Sequence, residues 1–279
     1  MTMEIQLEDA KLMKTIIDPM IPVGEDIFIE ISDNGFRANC KGIANAWSAD
    51  AVLSSVKFNK IEVDGTARYY LKLKDFADFM KTVQNNDQLT IRENEEKGTL
   101  ELILHSDQTQ MTKKIAIRLQ QIPENLKIFD TLEIRKKHTS NPNLRTSSSE
   151  IQTDLFSQAI KAAELGGNEV VINNSTEGLH FEAAETNKNA EAFISYSSEY
   201  VKNVEFQEGT TACEAIYKLE YLRHISRIGK SGDNLSLWML HEGPLILLYS
   251  FQEDADKTQV GYIGFAIAPR VKPDEQSRM

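Results

Sequence analysis

The chain contains one pattern of strands and helices twice, and this duplication constrains its fold more than any other feature. Residues 26–40 read DIFIEISDNGFRANC and residues 169–183 read EVVINNSTEGLHFEA. Each is an alternating apolar run, a short polar turn that ends in glycine, and a second alternating run. Alternation with a period of two predicts two strands joined by a tight hairpin, in which Gly35 and Gly178 supply a positive φ. A repeat of this length is the size of a domain, so the sequence predicts two similar domains in tandem.

The similarity continues on both sides of the hairpins. Glu-Ile-Gln opens the segment before each hairpin, and residues 69–81 parallel residues 215–227 as a strand followed by a short helix. Apolar residues at helical spacing predict four helices, over residues 9–20, 74–83, 153–165 and 220–229. Each half then consists of two β-α-β-β-β units, which predicts an α+β fold with the helices on one face of antiparallel sheets.

Composition shifts divide the chain into four parts. We expect an N-terminal domain over residues 1–119 and a C-terminal domain over residues 150–271. Residues 120–149 are expected to form an extended connector between them, and its part from 135 to 149 reads as an exposed linker because it is basic and rich in serine and threonine. Residues 272–279 form a polar tail, which is expected to be disordered.

Bulk properties predict a soluble intracellular protein. A chain of 279 residues with 41% hydrophobic residues can bury a core in each half. Cys40 and Cys213 lie in apolar strand patterns, which indicates buried thiols in a reducing compartment. There is neither a membrane-length apolar run nor a signal-peptide pattern near the N-terminus. The net charge of −11 argues against nucleic acid unless the cations are gathered on one surface.

The motifs of catalysis are missing from the sequence. Neither a phosphate-binding glycine loop nor a nucleophile elbow occurs, and the five histidines show no metal-ligand spacing. We therefore expect a protein that is not an enzyme and that uses neither a cofactor nor a metal.

Basic residues recur along one side of each predicted helix. Some occupy matching positions of the repeat, Lys14 with Lys161 and Lys81 with Arg227. The alternative is an ordinary solvated helix face, and acidic residues on the same helices limit the expected potential to a modest one. The candidate set is Lys11, Lys14, Lys74, Lys81, Lys161, Arg223, Arg227 and Lys230.

Three segments carry a family resemblance. Residues 261–271, GYIGFAIAPRV, closely resemble the last strand of the sliding clamps of archaea and eukaryotes, the proliferating cell nuclear antigen family. Residues 243–249, GPLILLY, resemble the clamp's Pro-Leu strand, and Ile122-Pro123-Glu124 resembles its interdomain connector. The resemblance covers essentially residues 3–271.

The resemblance implies a ring, usually of three subunits, that encircles double-stranded DNA without reading its sequence. The helices would line the hole, and the candidate cations would meet phosphates. The ring would tether DNA polymerase, the clamp loader and other replication and repair proteins that carry a clamp-binding peptide. The compartment would be the cytoplasm of an archaeon, or the nucleus for a eukaryote or a virus that infects one.

The resemblance also implies two further surfaces. Residues 113–119 of one subunit would pair with residues 192–197 of the next, although a strand paired within its own subunit is the alternative. The expected interface residues are Lys114, Ile115, Ala116, Ile117, Phe193, Ile194, Ser195 and Tyr196. Partner peptides would dock in an apolar groove, unless these residues are ordinary packing. The groove residues would be Leu119, Ile122, Pro123, Pro244, Ala268 and Pro269.

Two segments depart from the family pattern. Residues 41–48 read KGIANAWS where the family has an acidic segment that forms a pocket wall, and the connector is longer than usual. We expect residues 135–149 to be a mobile loop that affects partner choice. The alternatives that remain are a subunit of a heteromeric or checkpoint-type clamp, a monomeric viral processivity factor, and an assembly scaffold that does not bind DNA.

Overall fold

The computed structural model describes residues 3–229, 233–252 and 259–270. They form two compact units. The first unit takes in residues 1–43, 48–129 and 250–263, and the second takes in residues 44–47, 130–249 and 264–279. The predicted site residue Lys230 and the predicted polar tail lie outside the described residues.

The first half of the chain contains, among its described residues, two α-helices and nine strands. Strands β5-β1-β7-β8-β9 form one sheet in that order, and β4-β3-β2-β6 are antiparallel neighbours in another. The elements are β1 Glu4–Leu7, α1 Ala10–Ile17, β2 Asp26–Ser32, β3 Gly35–Lys41, β4 Trp47–Ser54, β5 Phe58–Glu62, β6 Thr66–Lys72, α2 Leu73–Met80, β7 Asp87–Asn94, β8 Thr99–Ser106 and β9 Met111–Arg118.

The remaining elements follow in the second half of the chain. Strands β13-β12-β11-β15 form a four-stranded sheet, and β14-β10-β16-β17 are neighbours in another. The elements are α3 Thr131–Thr139, β10 Thr146–Gln152, α4 Thr153–Ala163, β11 Glu169–Ser175, β12 Gly178–Glu185, β13 Lys188–Ser195, β14 Val201–Phe206, β15 Ala212–Lys218, α5 Leu219–Ile225, β16 Asn234–Leu240, β17 Leu245–Gln252 and β18 Gln259–Ile267.

The element order confirms the predicted α+β fold and its internal repeat. From β10 onward, the second half repeats the order of the first, strand for strand and helix for helix. Each half also contains one strand that the sequence pattern did not indicate. These strands, β5 and β14, take equivalent places, because β5 pairs with β1 and β14 pairs with β10.

Helix α1 shows how the local sequence sets the elements. The Asp9 side chain caps the helix by accepting a hydrogen bond from the Lys11 amide at 2.9 Å. Met13, Ile16 and Ile17 are fully buried, which anchors the apolar face of the helix to the core. Helix α1 packs against α2, and α4 packs against α5 in the same way. The repeat therefore places two adjacent helices in each unit.

Both hairpin glycines lie against a neighbouring strand, where a Cβ would overlap a carbonyl oxygen, but they differ in backbone conformation. Gly35 has φ +119°, as the turn predicts. The prediction of a positive φ is wrong for Gly178, which is absent from the residues with that conformation. A Cβ at Gly178 would overlap the carbonyl oxygen of Ile194 on the neighbouring strand β13. Close approach of two strands, rather than turn geometry, explains this glycine.

The prediction of an exposed, extended linker is wrong for much of residues 135–149. Helix α3 occupies Thr131–Thr139, and its Asp130 cap accepts a hydrogen bond from the Glu133 amide at 2.9 Å. The serine run belongs to β10, which pairs on one side with β14 and on the other with β16. Ser147 and Ser149 are buried, although their polarity resembles that of a linker. Pairing on both sides, which a local pattern does not reveal, overrides the composition.

Cys40 and Cys213 are both buried, as the sequence predicted. Both are free in the structure, and burial raises the pKa of Cys40 to about 12. This thiol is accordingly protonated at neutral pH, as expected for a structural cysteine.

Candidate functional site: basic helices and open strand edges

The two helices of the first unit each carry one cation without an ion pair. Lys11 on α1 and Lys74 on α2 are exposed. Neither has a carboxylate within 4 Å among the residues that the structure describes. Both ammonium groups are therefore available to an external anion.

The other two predicted cations of this unit are already paired. Lys14 Nζ lies 3.1 Å from Asp18 and donates to the Met80 carbonyl oxygen at 3.5 Å, which joins α1 to the end of α2. Lys81 Nζ lies 2.6 Å from Asp78, and this hydrogen bond raises the pKa of Lys81 and lowers that of Asp78. Surface pairs of this kind are weak and exchange partners at little cost.

The second unit repeats this division. Lys161 on α4 and Arg227 after α5 are exposed, and neither forms an ion pair within the described ranges. Arg223 donates through Nε to Glu164, which ties α5 to α4. Burial, followed by the charge of Arg227, lowers the pKa of His224, so this imidazole is neutral at pH 7. Three of the four repeated helices thus carry one cation with no carboxylate within 4 Å in the described structure, and Arg227 provides the fourth just after the end of α5.

The two strands predicted to join subunits lie at sheet edges. Strand β9 is the last strand of the five-stranded sheet and pairs with β8, whereas β13 is the last strand of the four-stranded sheet and pairs with β12. Within the described part of the chain, each has a neighbour on one side. The alternative of a strand paired on both sides within its own subunit is therefore not what the structure has.

The side chains of these edge strands alternate in the same way. Ile117 in β9 and Ile194 in β13 are buried, while Phe193 is 57% exposed. An exposed aromatic side chain on an open edge is costly unless a partner covers it. Ile115 is half-buried and Ala116 exposed, and Ser195 is half-buried at the end of β13. Tyr196 follows β13 and donates its hydroxyl proton to Asn174.

Lys114, a further predicted interface residue, forms an ion pair within its own chain. Its Nζ lies 2.7 Å from Glu101, and Arg92 Nε lies 2.6 Å from the other oxygen of the same carboxylate. Hydrogen bonds from Lys114 and Arg92 lower the pKa of the buried Glu101 to about 2. Lys114 therefore joins β9 to its own sheet before any subunit contact is made.

The residues predicted to form the peptide groove are divided between the two units. In the first unit, the Leu119 amide donates to the Gly98 carbonyl at 3.0 Å, and Ile122 and Pro123 are exposed. In the second unit, Ala268 is exposed and its amide donates to Ala46 at 2.9 Å. Pro244 and Pro269 are half-buried. The exposed members provide apolar surface, and their assembly into one groove stays a prediction.

The connector's first part is anchored at both ends to the first unit. The Gln120 amide donates to the Tyr70 carbonyl at 2.8 Å. At the other end, the Asn39 amide group pairs with the backbone of Phe129, accepting from its N–H at 3.2 Å and donating to its carbonyl oxygen. Arg37 donates to the same carbonyl at 3.3 Å. Residues 120–129 form a strap that is held at each end.

A cavity of about 410 Å³ lies beside this strap. It is lined mainly by residues 21–28 and 39–43, together with Tyr70, Leu126 and Lys127. Neither the cavity nor the hydrogen bonds of Asn39 and Arg37 to Phe129 could be predicted from the local sequence. The available signal was the polar Asn39 between the apolar residues Ala38 and Cys40 of β3, where its exposed fraction is 6%.

The segment that departs from the family pattern makes a tight turn. Ala44 and Asn45 have φ values of 55° and 57°, in the left-handed region. Within the second unit, Trp47 is buried and its ring stacks on Tyr221 of α5, with centroids 4.6 Å apart. The segment thus contributes an aromatic contact that supports one of the basic helices.

The described residues contain neither a membrane-spanning helix nor a cluster of metal-ligating side chains. No helix there is long and apolar enough to cross a membrane. No group of three or more histidine, cysteine, aspartate or glutamate side chains within those ranges is placed to hold a metal ion.

Comparison with known proteins agrees with the resemblance in the sequence. Residues 2–127 match the family model of the proliferating cell nuclear antigen, N-terminal domain. The DNA polymerase sliding clamp 3 of Sulfurisphaera tokodaii is 24% identical over 97% of this chain and 100% of its own length. Proliferating cell nuclear antigen 2 of Drosophila melanogaster is 22% identical over 98% of this chain and 99% of its own.

Solved structures show the same fold. The clamp (PCNA) of Thermococcus kodakaraensis superposes with a TM-score of 0.78 at 21% identity and covers 96% of this chain and 100% of its own. A chain of the PCNA2–PCNA3 complex of Sulfolobus tokodaii superposes with a TM-score of 0.76 at 21% identity and covers 97% of this chain and 100% of its own. The match of residues 2–127 to the family model, together with relatives that match over their whole length, supports a divergent sliding clamp of the proliferating cell nuclear antigen family.

Proposed function

We propose that the protein is a DNA sliding clamp, which encircles duplex DNA and tethers DNA polymerase and other replication and repair proteins to it. The observation that carries this proposal is a set of exposed cations, on or just after the four repeated helices, that have no carboxylate within 4 Å in the described structure: Lys11, Lys74, Lys161 and Arg227. The names of its relatives and its fold support the same function.

The weak basic character of these helices suits a protein that slides. Contacts to phosphate position a protein on DNA without reading bases. Asp18, Asp78 and Glu164 neutralise Lys14, Lys81 and Arg223 in the free protein, which lowers the attraction to the duplex. A ring is retained by its topology, so it does not need tight contacts. The task requires neither a catalytic group nor a cofactor.

Ring closure is proposed to use the two open edges. Strand β9 of one subunit pairs with β13 of the next, with Ile115, Ala116, Phe193 and Ser195 near the new contact. Addition of a strand satisfies backbone groups that an open edge leaves to water. We propose three copies of this chain per ring. A ring with a second kind of subunit is the alternative, since a similar structure belongs to a complex of two different clamp chains.

The face toward DNA is tested by charge reversal. The variant Lys11→Glu/Lys74→Glu/Lys161→Glu/Arg227→Glu is compared with the wild type for stimulation of a polymerase on a long primed template. Loss of stimulation with an unchanged solution mass is expected. A matched control, Lys97→Glu/Lys202→Glu, changes two exposed lysines away from these helices. Stimulation by the helix variant at the wild-type level would exclude these residues as the DNA face.

A further inference from the structure

Helix α3 carries a basic surface in an otherwise acidic chain. Arg135, Lys136 and Lys137 follow one another, and none has a carboxylate within 4 Å in the part of the chain that the structure describes. Lys136 and Lys137 are exposed, and Arg135 is half-buried. With a net charge of −11 on the whole chain, three adjacent cations without ion pairs form a local potential that an anionic partner would neutralise.

Two cavities adjoin these cations, an inner one with mainly polar walls and an outer one with mainly apolar walls. A cavity of about 270 Å³ lies between α3 and strands β10, β14, β16 and β17, where Trp238 and Leu248 contribute to its wall. A shallower cavity of about 430 Å³ lies along α3 itself, beside Lys136 and Thr139. Leu132 and Arg135 line both cavities, and Leu132 is 40% exposed. The surface thus combines positive charge with room for an apolar side chain.

The helix is held in place before any partner binds. Thr131 is fully buried at its start, and Asp130 caps it. The His138 ring stacks on Trp238 of β16 with centroids 5.8 Å apart. Because the backbone is already ordered, binding does not bear the entropic cost of folding a loop.

We propose that α3 docks an acidic, amphipathic segment of a partner protein. Carboxylates of that segment pair with Arg135, Lys136 and Lys137, and one apolar side chain enters the space beside Leu132. This inference rests on the proposed function, because it defines the class of partner that a clamp of this kind holds through its connector.

The chemistry of the cavities favours a peptide over nucleic acid. Glu150 and Glu205 line the inner cavity, where they repel phosphates and carboxylates alike. A continuous phosphate backbone carries a charge at every step, whereas a peptide can place an uncharged residue at this cavity and its carboxylates beside the cations of α3. A duplex also has no aliphatic side chain to place beside Leu132. A peptide with spaced carboxylates and apolar residues satisfies both parts of the surface.

The probe is a fluorescent 12-residue peptide of repeated Glu-Glu-Leu, and the measurement is its anisotropy with the full-length protein. The same peptide with glutamine in place of glutamate should bind about 3- to 150-fold more weakly, because three ion pairs at the surface contribute about 0.2–1 kcal/mol each. The variant R135Q/K136Q/K137Q should weaken binding of the acidic peptide to a similar extent. The control Lys97→Gln changes an exposed lysine of the first unit and should stay within about twofold of the wild type, as expected for a surface change outside the proposed contact.

Three results would overturn the proposal. The first is equal affinity for the glutamate and glutamine peptides, and the second is a loss of peptide affinity in the control variant as large as in the α3 variant. The third is an α3 variant that binds a duplex oligonucleotide more weakly than the wild type does but binds the acidic peptide equally well. A thermal melt of each variant shows that the chain is folded. A failure of the proposed clamp function would look different. In that case the wild-type protein would bind the acidic peptide but would not be retained on DNA.

Discussion

Glu101 lies buried in β8 and holds a cation from each neighbouring strand, Arg92 in β7 and Lys114 in β9. The carboxylate accepts from both, and Asn94 donates to it at 3.3 Å. Since β9 is the strand proposed to meet the next subunit, this carboxylate fixes a side chain of the interface before assembly. Replacement of Glu101 by a neutral residue should therefore lower the stability of the isolated subunit.

Glu101→Gln should destabilise the fold at pH 7 by about 1–3 kcal/mol, the usual cost of losing charged hydrogen bonds. The folded-state pKa of about 2 lies below the value of an unfolded glutamate, so the stabilisation is present above about pH 4.3. It is lost as the pH falls from there through 2. Urea unfolding of both proteins at pH 7 and pH 2.5 tests this, and a stability difference that persists undiminished at the lower pH would contradict it.

Gly178→Ala should destabilise the protein by about 2 kcal/mol or more, because the new methyl group overlaps the carbonyl oxygen of Ile194. Gly209 offers a matched comparison. It has φ +77° and open space around it, so Gly209→Ala should cost about 1 kcal/mol from backbone conformation alone. Thermal unfolding of the two variants should rank them in this order. The reverse order would show that β13 can move away from β12.

The sequence predicted which helix face a residue lies on, but it did not predict the residue's contacts. The spacing of Lys11 and Lys14 was sufficient to place them on one helix. Their different roles were not, since Lys14 is paired with Asp18 and Lys11 has no such pair in the described structure. The sequence also did not predict the ion pair of Lys114, because its partner Glu101 lies on a different strand. Periodicity gives the face of an element but not the long-range contacts on that face.

At the scale of elements, the strap over residues 120–129 is held mainly by side chains of β3. Asn39 pairs with both backbone groups of Phe129, and Arg37 adds a bond to its carbonyl. Asn39→Ala should release this end and reduce stability by about 1–3 kcal/mol. Hydrogen exchange at residues 120–129 should accelerate in the variant and stay unchanged in Asn34→Ala, a control in an exposed turn. Unchanged exchange in both would show that the strap does not depend on Asn39.

The sequence predicted long periodic elements well and short polar ones poorly. The four repeated helices and the paired hairpins follow from apolar spacing. Helix α3 was missed because it has little apolar periodicity and is held by its cap and by the stacking of His138 on Trp238. Strands β5 and β14 were missed because they are short, partly polar strands whose place comes from pairing with β1 and β10.

At the scale of the whole molecule, the open edges predict assembly. Light scattering should give a mass near three times 31.6 kDa for the wild type, if the edges of identical chains close a ring. Phe193→Glu should shift the mass toward that of one chain, because a carboxylate replaces an apolar side chain at the proposed contact. Val56→Glu, which replaces another exposed apolar residue outside β9 and β13, should leave the mass unchanged. A wild type that stays monomeric would favour a ring with different partner chains.

Encirclement of DNA is the central claim, and retention on DNA with blocked ends tests it most directly. The protein is allowed to thread onto a linear duplex with biotin at both ends, streptavidin is then added, and bound protein is measured after gel filtration at moderate salt. Retention is predicted when both ends are blocked, and loss is predicted when either end is left open. Equal retention on open and blocked duplexes, or loss from both, would contradict a topological link between this protein and DNA.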